Sequence, residues 1–235
     1  MDRRVFLLSA TAALAACETV DPAVLGDVLG QGGGALTAGE VALGLKAALD
    51  NGVGEALLGL GRVDGFLGDP TVRIPLPRAL ADLQGVLAPV GADGLLVELQ
   101  QQLNRGAEAA VPAARDIFVQ AVRGLTIQDA FDILRGPETA ATDYLQARTT
   151  DSLVQLFMPV MERALADTGA LRLVNEVARS VPLGLAGLGD PRADLVRHGV
   201  RFGLDGVFHY IGEEEAAIRR DPAKRTSEIL RRVFG

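Results

Sequence analysis

From Thr37 onward, apolar residues recur at three- and four-residue intervals, and no segment alternates apolar and polar residues with period two for long enough to form a strand. That periodicity restricts the chain to packed helices. Apolar residues make up 49% of the sequence, yet aromatics are only 4% and tryptophan is absent. A core built from Leu, Val and Ala favours helices that approach closely. The expectation is an all-α fold, a single multi-helix domain over residues 37–235.

Local signals place its elements. Thr37 and Glu40 have capping-box spacing, and Val41, Leu45, Ala48, Leu49 and Val53 follow at helical intervals. Leu95, Leu99, Leu103, Gly106 and Ala110 form the stripe of a second long helix, after which Pro112 is expected to start a new segment. Thr126 with Asp129 caps another helix, which Gly136-Pro137 ends. Further helices are expected over about 138–147, 151–168, 170–180, 192–219 and 223–233. Arg148-Thr149-Thr150-Asp151 reads as a boundary, a threonine cap with an acid in the following turn.

Asp64–Pro77, DGFLGDPTVRIPLP, breaks the pattern. Three prolines forbid a continuous helix, while Phe66, Leu67, Val72, Ile74 and Leu76 make the stretch too apolar to lie free in water. It is expected to form an extended strap across the helices, over an apolar cleft if one exists.

The first residues bear on location. Arg3 and Arg4 open the chain, and Val5–Ala16 is an uncharged apolar run ending in Leu14-Ala15-Ala16-Cys17. Twelve helical residues reach only about 18 Å against a hydrocarbon core of about 30 Å, which predicts an export signal and not a permanent span. Small residues before Cys17 match a lipoprotein cleavage site, with Cys17 as the lipidated N-terminus of the mature chain and the membrane as its partner. Cys17 is the only cysteine, which excludes an intramolecular disulfide. Arg3-Arg4-Val5-Phe6-Leu7 resembles a twin-arginine signal, although Asp2 stands where Ser or Thr is usual, so the export route stays open. Glu18 is not the aspartate of inner-membrane retention, which points to the outer membrane, facing the periplasm.

Residues 18–36, with the run Gly32-Gly33-Gly34, read as a flexible tether of roughly 25 Å reach. Residues 30–35 formally match G-x-G-x-x-A but follow no strand, so no cofactor is expected. Without residues 1–17 the chain carries 21 basic and 29 acidic residues, a net charge of −8. Nucleic acid is therefore not an expected partner.

The stretches Asp64–Pro77, Leu103–Leu153 and Leu204–Gly235 together resemble the bacterial family catalogued as domain of unknown function 4197, over about Thr37 to Gly235. The resemblance implies an exported, mostly helical, often lipid-anchored envelope protein. It carries over no reaction and no catalytic residue.

Several constellations remain to be placed. Asp205, His209 and Glu213 stand at i, i+4 and i+8 and are a candidate metal set, against a plain solvated face with an Asp–His pair. His198 and His209 lie about 16.5 Å apart along a helix and cannot share an ion. Gly199, Gly203 and Gly206 form a stripe that calls either for a helix packed backbone to backbone or for a ligand in a groove. Phe157, Met158 and Met161 flank Pro159 and read as core or as a plastic pocket lining. Phe66, Ile74, Phe157, Met158, Met161, Gly199 and Gly203 are thus the candidate ligand-binding residues. Glu108, Asp116, Asp129 and Asp143 are scattered carboxylates that read as capping or solubilising groups, and Ser152 and Ser180 lie in no nucleophile elbow. No catalytic residue is assigned. In the C-terminal tail, Ile229, Leu230, Val233 and Phe234 form a stripe expected to close the core, with the tail's arginines near Glu213, Glu214 and Glu215.

The function expected is that of a lipid-anchored envelope protein, non-enzymatic, binding an apolar molecule or another envelope component. The alternatives are a carboxylate-dependent hydrolase or other periplasmic enzyme, and a structural assembly factor.

Overall fold

A computed structural model describes residues 37–166, 190–220 and 231. Residues 1–36, with Cys17 and the whole expected tether, lie outside the described residues. Six helices occur among the described residues: α1 (Ala38–Leu60), α2 (Arg78–Leu87, followed by a 3-10 turn to Val90), α3 (Gly94–Arg123), α4 (Ile127–Arg135), α5 (Ala140–Ala166) and α6 (Pro191–Arg220). None of the described residues forms a strand, so the fold is all-α.

Helix α3 is central and packs against α1, α5 and α6. Small residues set the register. Gly199 of α6 abuts Leu103 and Met161, and Gly203 abuts Ala107 and Phe157. Hence α6 runs parallel to α3, while α5 runs antiparallel to both. Helix α1 is antiparallel to α3, with Gly61 against Pro112 and the Lys46 ammonium donating to the Arg123 carbonyl at 3.0 Å. The amine there closes a helix C-terminus, where a positive charge is favourable.

Both capping boxes form as expected. The Thr37 hydroxyl accepts from the Glu40 N–H while Glu40 accepts from the Thr37 N–H, and Thr126 and Asp129 do the same for α4.

Two expected breaks do not occur. Pro112 lies inside α3 and starts no segment. Pro112 is exposed, and fully buried Ala110, Val111, Ala114 and Phe118 on either side keep the helix continuous across the missing hydrogen bond. At the expected boundary Arg148–Asp151, α5 is likewise continuous. The Thr149 and Thr150 hydroxyls donate back to the Leu145 and Gln146 carbonyls, both at 2.7 Å, instead of capping a new helix. The helices expected over 138–147 and 151–168 are therefore one.

The α3 stripe shifts at its start, because Leu95 is 44% exposed and Leu96 is the buried member alongside Leu99 and Leu103. Helix α2 has no counterpart among the sequence-based expectations. The helices expected over 170–180 and 223–233 lie outside the described residues, apart from Arg231, which is helical and exposed.

Candidate functional site

The stretch 64–77 is a covered strap, as its composition predicts, but it is not extended throughout: residues 64–68 and 70–72 form turns, closed by the Arg73 N–H donating to the Asp69 carbonyl at 2.8 Å, and only 73–77 run free of them. Val72, Ile74 and Leu76 are buried alternately with exposed neighbours, and Phe66 and Ile74 are completely buried. A buried extended segment must still satisfy its backbone polar groups. With no strand beside it, side chains take that role.

Asn104 of α3 accepts the Ile74 N–H at 2.8 Å and donates to the Ile74 carbonyl at 3.0 Å. Glu108, one turn on, accepts the Phe66 and Leu67 N–H groups at 3.1 and 3.2 Å and pairs with Arg105 at 2.6 Å. Arg105 also reaches Asp64 at 2.8 Å. That pair holds Asp64 where its φ is 65°, a left-handed conformation rare for a side chain other than glycine.

From α6, the His198 Nε2–H donates to the Pro75 carbonyl at 2.7 Å, and the Tyr210 hydroxyl donates to Asp69. Burial pushes His198 below its ordinary value, with the hydrogen bond to Pro75 acting the other way. The hydrogen bond from Tyr210 lowers the Asp69 carboxyl, and the same bond raises the Tyr210 phenol.

The candidate ligand residues divide. Phe66, Ile74, Phe157 and Met161 are completely buried, and a Cβ added at Gly199 would come within 2.9 Å of Leu103 and Met161. These positions, with Gly203, form solid packing; the strap fills the space between α3 and α6 and is itself part of the core. The glycine stripe is explained by close contact, Gly206 included, where a Cβ would lie 2.7 Å from Phe66. Met158 differs from the rest. It is half-buried and lines a groove of about 340 Å³ between α5 and α6, with Val154, Val200, Leu204 and Phe208 as an apolar floor and Arg197 and Arg201 among its polar edges.

Other concavities lie elsewhere among the described residues. One of about 430 Å³ lies where the strap meets α1 and α6, faced by Glu55, Arg62, Asp64, Asp69, Tyr210 and Glu214. Another, about 390 Å³ between α1 and α3, is lined by Leu57, Leu58, Pro112 and Arg115.

Asp205, His209 and Glu213 are exposed on α6, and no group of three or more His, Cys, Asp or Glu among the described residues is placed to hold a metal ion. His209 packs its ring edge-on against Tyr210 at 5.4 Å. Of the scattered carboxylates, Asp129 caps α4, Asp143 accepts from the Thr139 hydroxyl at 3.1 Å and Asp116 is exposed. Glu108 departs from its expected solubilising role: it is 5% exposed and anchors the strap.

Sequence reasoning placed Glu215 only near the tail's arginines and missed its role: it is 6% exposed, accepts the Ala141 and Thr142 N–H groups at the start of α5 and pairs with Arg219 at 2.8 Å. Ser180 and the tail stripe lie outside the described residues.

No curated protein and no solved structure matches the chain. A family model does match, over residues 35–235, a span that includes the strap, the α3 residues holding it and both walls of the groove; the chain belongs to the family described as protein of unknown function (DUF4197).

Proposed function

We propose that this chain is a lipid-anchored bacterial envelope protein whose helical domain binds an apolar molecule or another envelope component and carries out no reaction itself. The anchoring half rests on the basic start, the short apolar run and Cys17. Diacylglycerol at Cys17 supplies two chains, enough for stable attachment where one gives only marginal binding. Glu18 favours the outer membrane, with the domain facing the periplasm.

The binding half is carried by one observation, the groove between α5 and α6. Small-molecule sites are concave and mostly apolar with a few polar groups at the edge, and this groove has that constitution. The polar concavity at the strap favours the competing carboxylate enzyme, since four acids face it. Its central pair is poorly poised for that work. Asp69 is lowered and Tyr210 raised, so both move away from the neutral range where proton exchange is efficient.

Two measurements test the reading. Cys17→Ser, once exported and cleaved, is expected to leave the membrane fraction; retention of that cleaved form there would refute the lipid anchor. Native mass spectrometry of protein purified from membranes is expected to show a bound apolar species, and a clean apo mass would remove the binding half.

A further inference from the structure

The groove between α5 and α6 has direction. Because the two helices are antiparallel and Phe157 is level with Gly203, Met158 lies toward the Arg201 end of α6, Val154 falls mid-groove beside Leu204–Phe208, and Thr150 and Gln146 lie at the Phe208 end. Its floor is closed underneath: Val200, Leu204 and Phe208 are 3%, 5% and 6% exposed. One end of the rim is basic, in a chain whose net charge is −7. Arg197 is held by Asp194, and the Arg201 guanidinium lies 4.8 Å over the Phe202 ring. A guanidinium has five N–H donors, so neither contact exhausts it. Asp205 stands one turn beyond Arg201 on the same edge and repels an anion there, which confines a negative head to the Arg197 end.

We propose that this groove holds a single acyl chain whose carboxylate is bound by Arg197 and Arg201. The inference rests on the reading of the domain as a binding module and supplies its ligand class. The dimensions select the occupant. The α5 wall from Gln146 to Met158 is about 18 Å long. A helix of 10–12 Å diameter over that length would displace well over roughly 1,000 Å³, so a partner helix would seat only its edge. An extended acyl chain fits along the floor. That floor runs parallel to the helix axes, so the chain lies flat along the protein, unlike a lipid kept upright in a bilayer. A free long-chain carboxylate is therefore the ligand, and a membrane surface is not.

The test titrates the full chain carrying Cys17→Ser, which removes the attachment point for its own lipid, with dodecanoate and with dodecanol by calorimetry. Dodecanoate is expected to bind, each added methylene tightening it by up to about fourfold. Arg197→Gln/Arg201→Gln should weaken dodecanoate about tenfold or more, the worth of a charge-assisted hydrogen bond, and leave dodecanol within about twofold. Val154→Asp and Met158→Glu, both at half-buried positions, should abolish binding of either probe while the helical circular dichroism is retained; the surface arginine pair keeps the test decisive if these fold poorly.

Absence of binding overturns the proposal, as does binding unchanged by the groove variants, which would place the chain elsewhere, for instance on Val5–Ala16. Equal loss of dodecanol in the arginine pair overturns the carboxylate contact. Binding only to anionic vesicles would mean a membrane surface instead. A co-purifying apolar species that survives Val154→Asp refutes this groove and leaves the binding-module reading standing; no species and no titration refutes both.

Discussion

The side-chain amide of Asn104 takes both backbone groups of Ile74, accepting its N–H at 2.8 Å and donating to its carbonyl at 3.0 Å. Ile74 is fully buried in an extended, proline-flanked segment with no neighbouring strand, so one asparagine does the work of a β-ladder rung. Its amide also donates to the Gln100 carbonyl at 2.7 Å, which fixes its orientation. Asn104→Ala should cost about 2–4 kcal/mol, since each stranded backbone group costs about 1–3 and Gln100 retains only a 3.4 Å contact to the Ile74 carbonyl. Asn104→Asp should be no milder at neutral pH, because a carboxylate cannot donate to either carbonyl. Urea unfolding of the two variants checks this, and a near-neutral Asp variant would show the donor half to be dispensable.

Glu108 anchors the other end of the strap through Phe66, Leu67 and Arg105. Glu108→Ala leaves two N–H groups and a half-covered guanidinium without their acceptor, a loss on the scale of a broken buried pair, about 3–5 kcal/mol. Glu108→Gln keeps one acceptor oxygen and should cost less. Limited proteolysis separates local from global effects: cleavage within Asp64–Pro77 should speed up in the Ala variant before the helices melt.

Glycines of α6 and α2 should respond in opposite directions to alanine. At Gly206 a Cβ would meet Phe66 at 2.7 Å and Val72 at 3.2 Å, both in the strap. Overpacking of this kind costs about 1–3 kcal/mol and outweighs the roughly 1 kcal/mol gained in helix propensity. Gly85 has nothing within 4 Å, so Gly85→Ala should stabilise by about 0.5–1 kcal/mol. Thermal melts of the pair give the comparison.

His198 couples strap attachment to pH. Burial holds its folded pKa below the ordinary value of 6.5, so the unfolded chain binds the proton more readily. Its contribution is therefore present above 6.5 and is lost as pH falls from there through the lowered folded value. Stability measured from about pH 8 down to about pH 5 should decline in the wild type, and His198→Gln should flatten that part of the profile. An identical profile in the variant would assign the decline to other groups.

Local signals were legible in the sequence and non-local ones were not. Thr37 with Glu40 and Thr126 with Asp129 are complete within four residues, and both boxes form. Pro112 and Thr149 sent equally local signals that tertiary packing overrode, since their helices are buried on both sides of the expected break. Asn104 and Glu108 find partners 30 and 42 residues away, a separation that leaves no periodic trace. One trace was available: Gln100, Asn104 and Glu108 form a polar row at i, i+4 and i+8, suited to a strap whose backbone needs partners. The groove was legible only at Met158, because a concavity depends on how two helices diverge.

Glu215 provides the last prediction, because one buried carboxylate joins three helices. It accepts the Ala141 and Thr142 N–H groups and the Thr142 hydroxyl, at 3.1, 2.9 and 2.8 Å, at the N-terminus of α5, which has unsatisfied donors and a positive dipole end. It also pairs with Arg219, whose guanidinium donates at 3.0 Å to the Ile133 carbonyl near the C-terminus of α4. Helix α6 thereby clamps the α4–α5 corner through two residues one turn apart. Glu215→Ala strands the α5 donors and removes the arginine's carboxylate, and should cost about 3–5 kcal/mol, more than any exposed ion pair here, such as Arg220–Glu138. Because the two clamp residues share one network, Arg219→Ala in the Glu215→Ala background should cost about 1 kcal/mol or more less than Arg219→Ala alone. A double-mutant cycle in urea measures that coupling, and strict additivity would mean that the α5 cap and the α4 contact act independently.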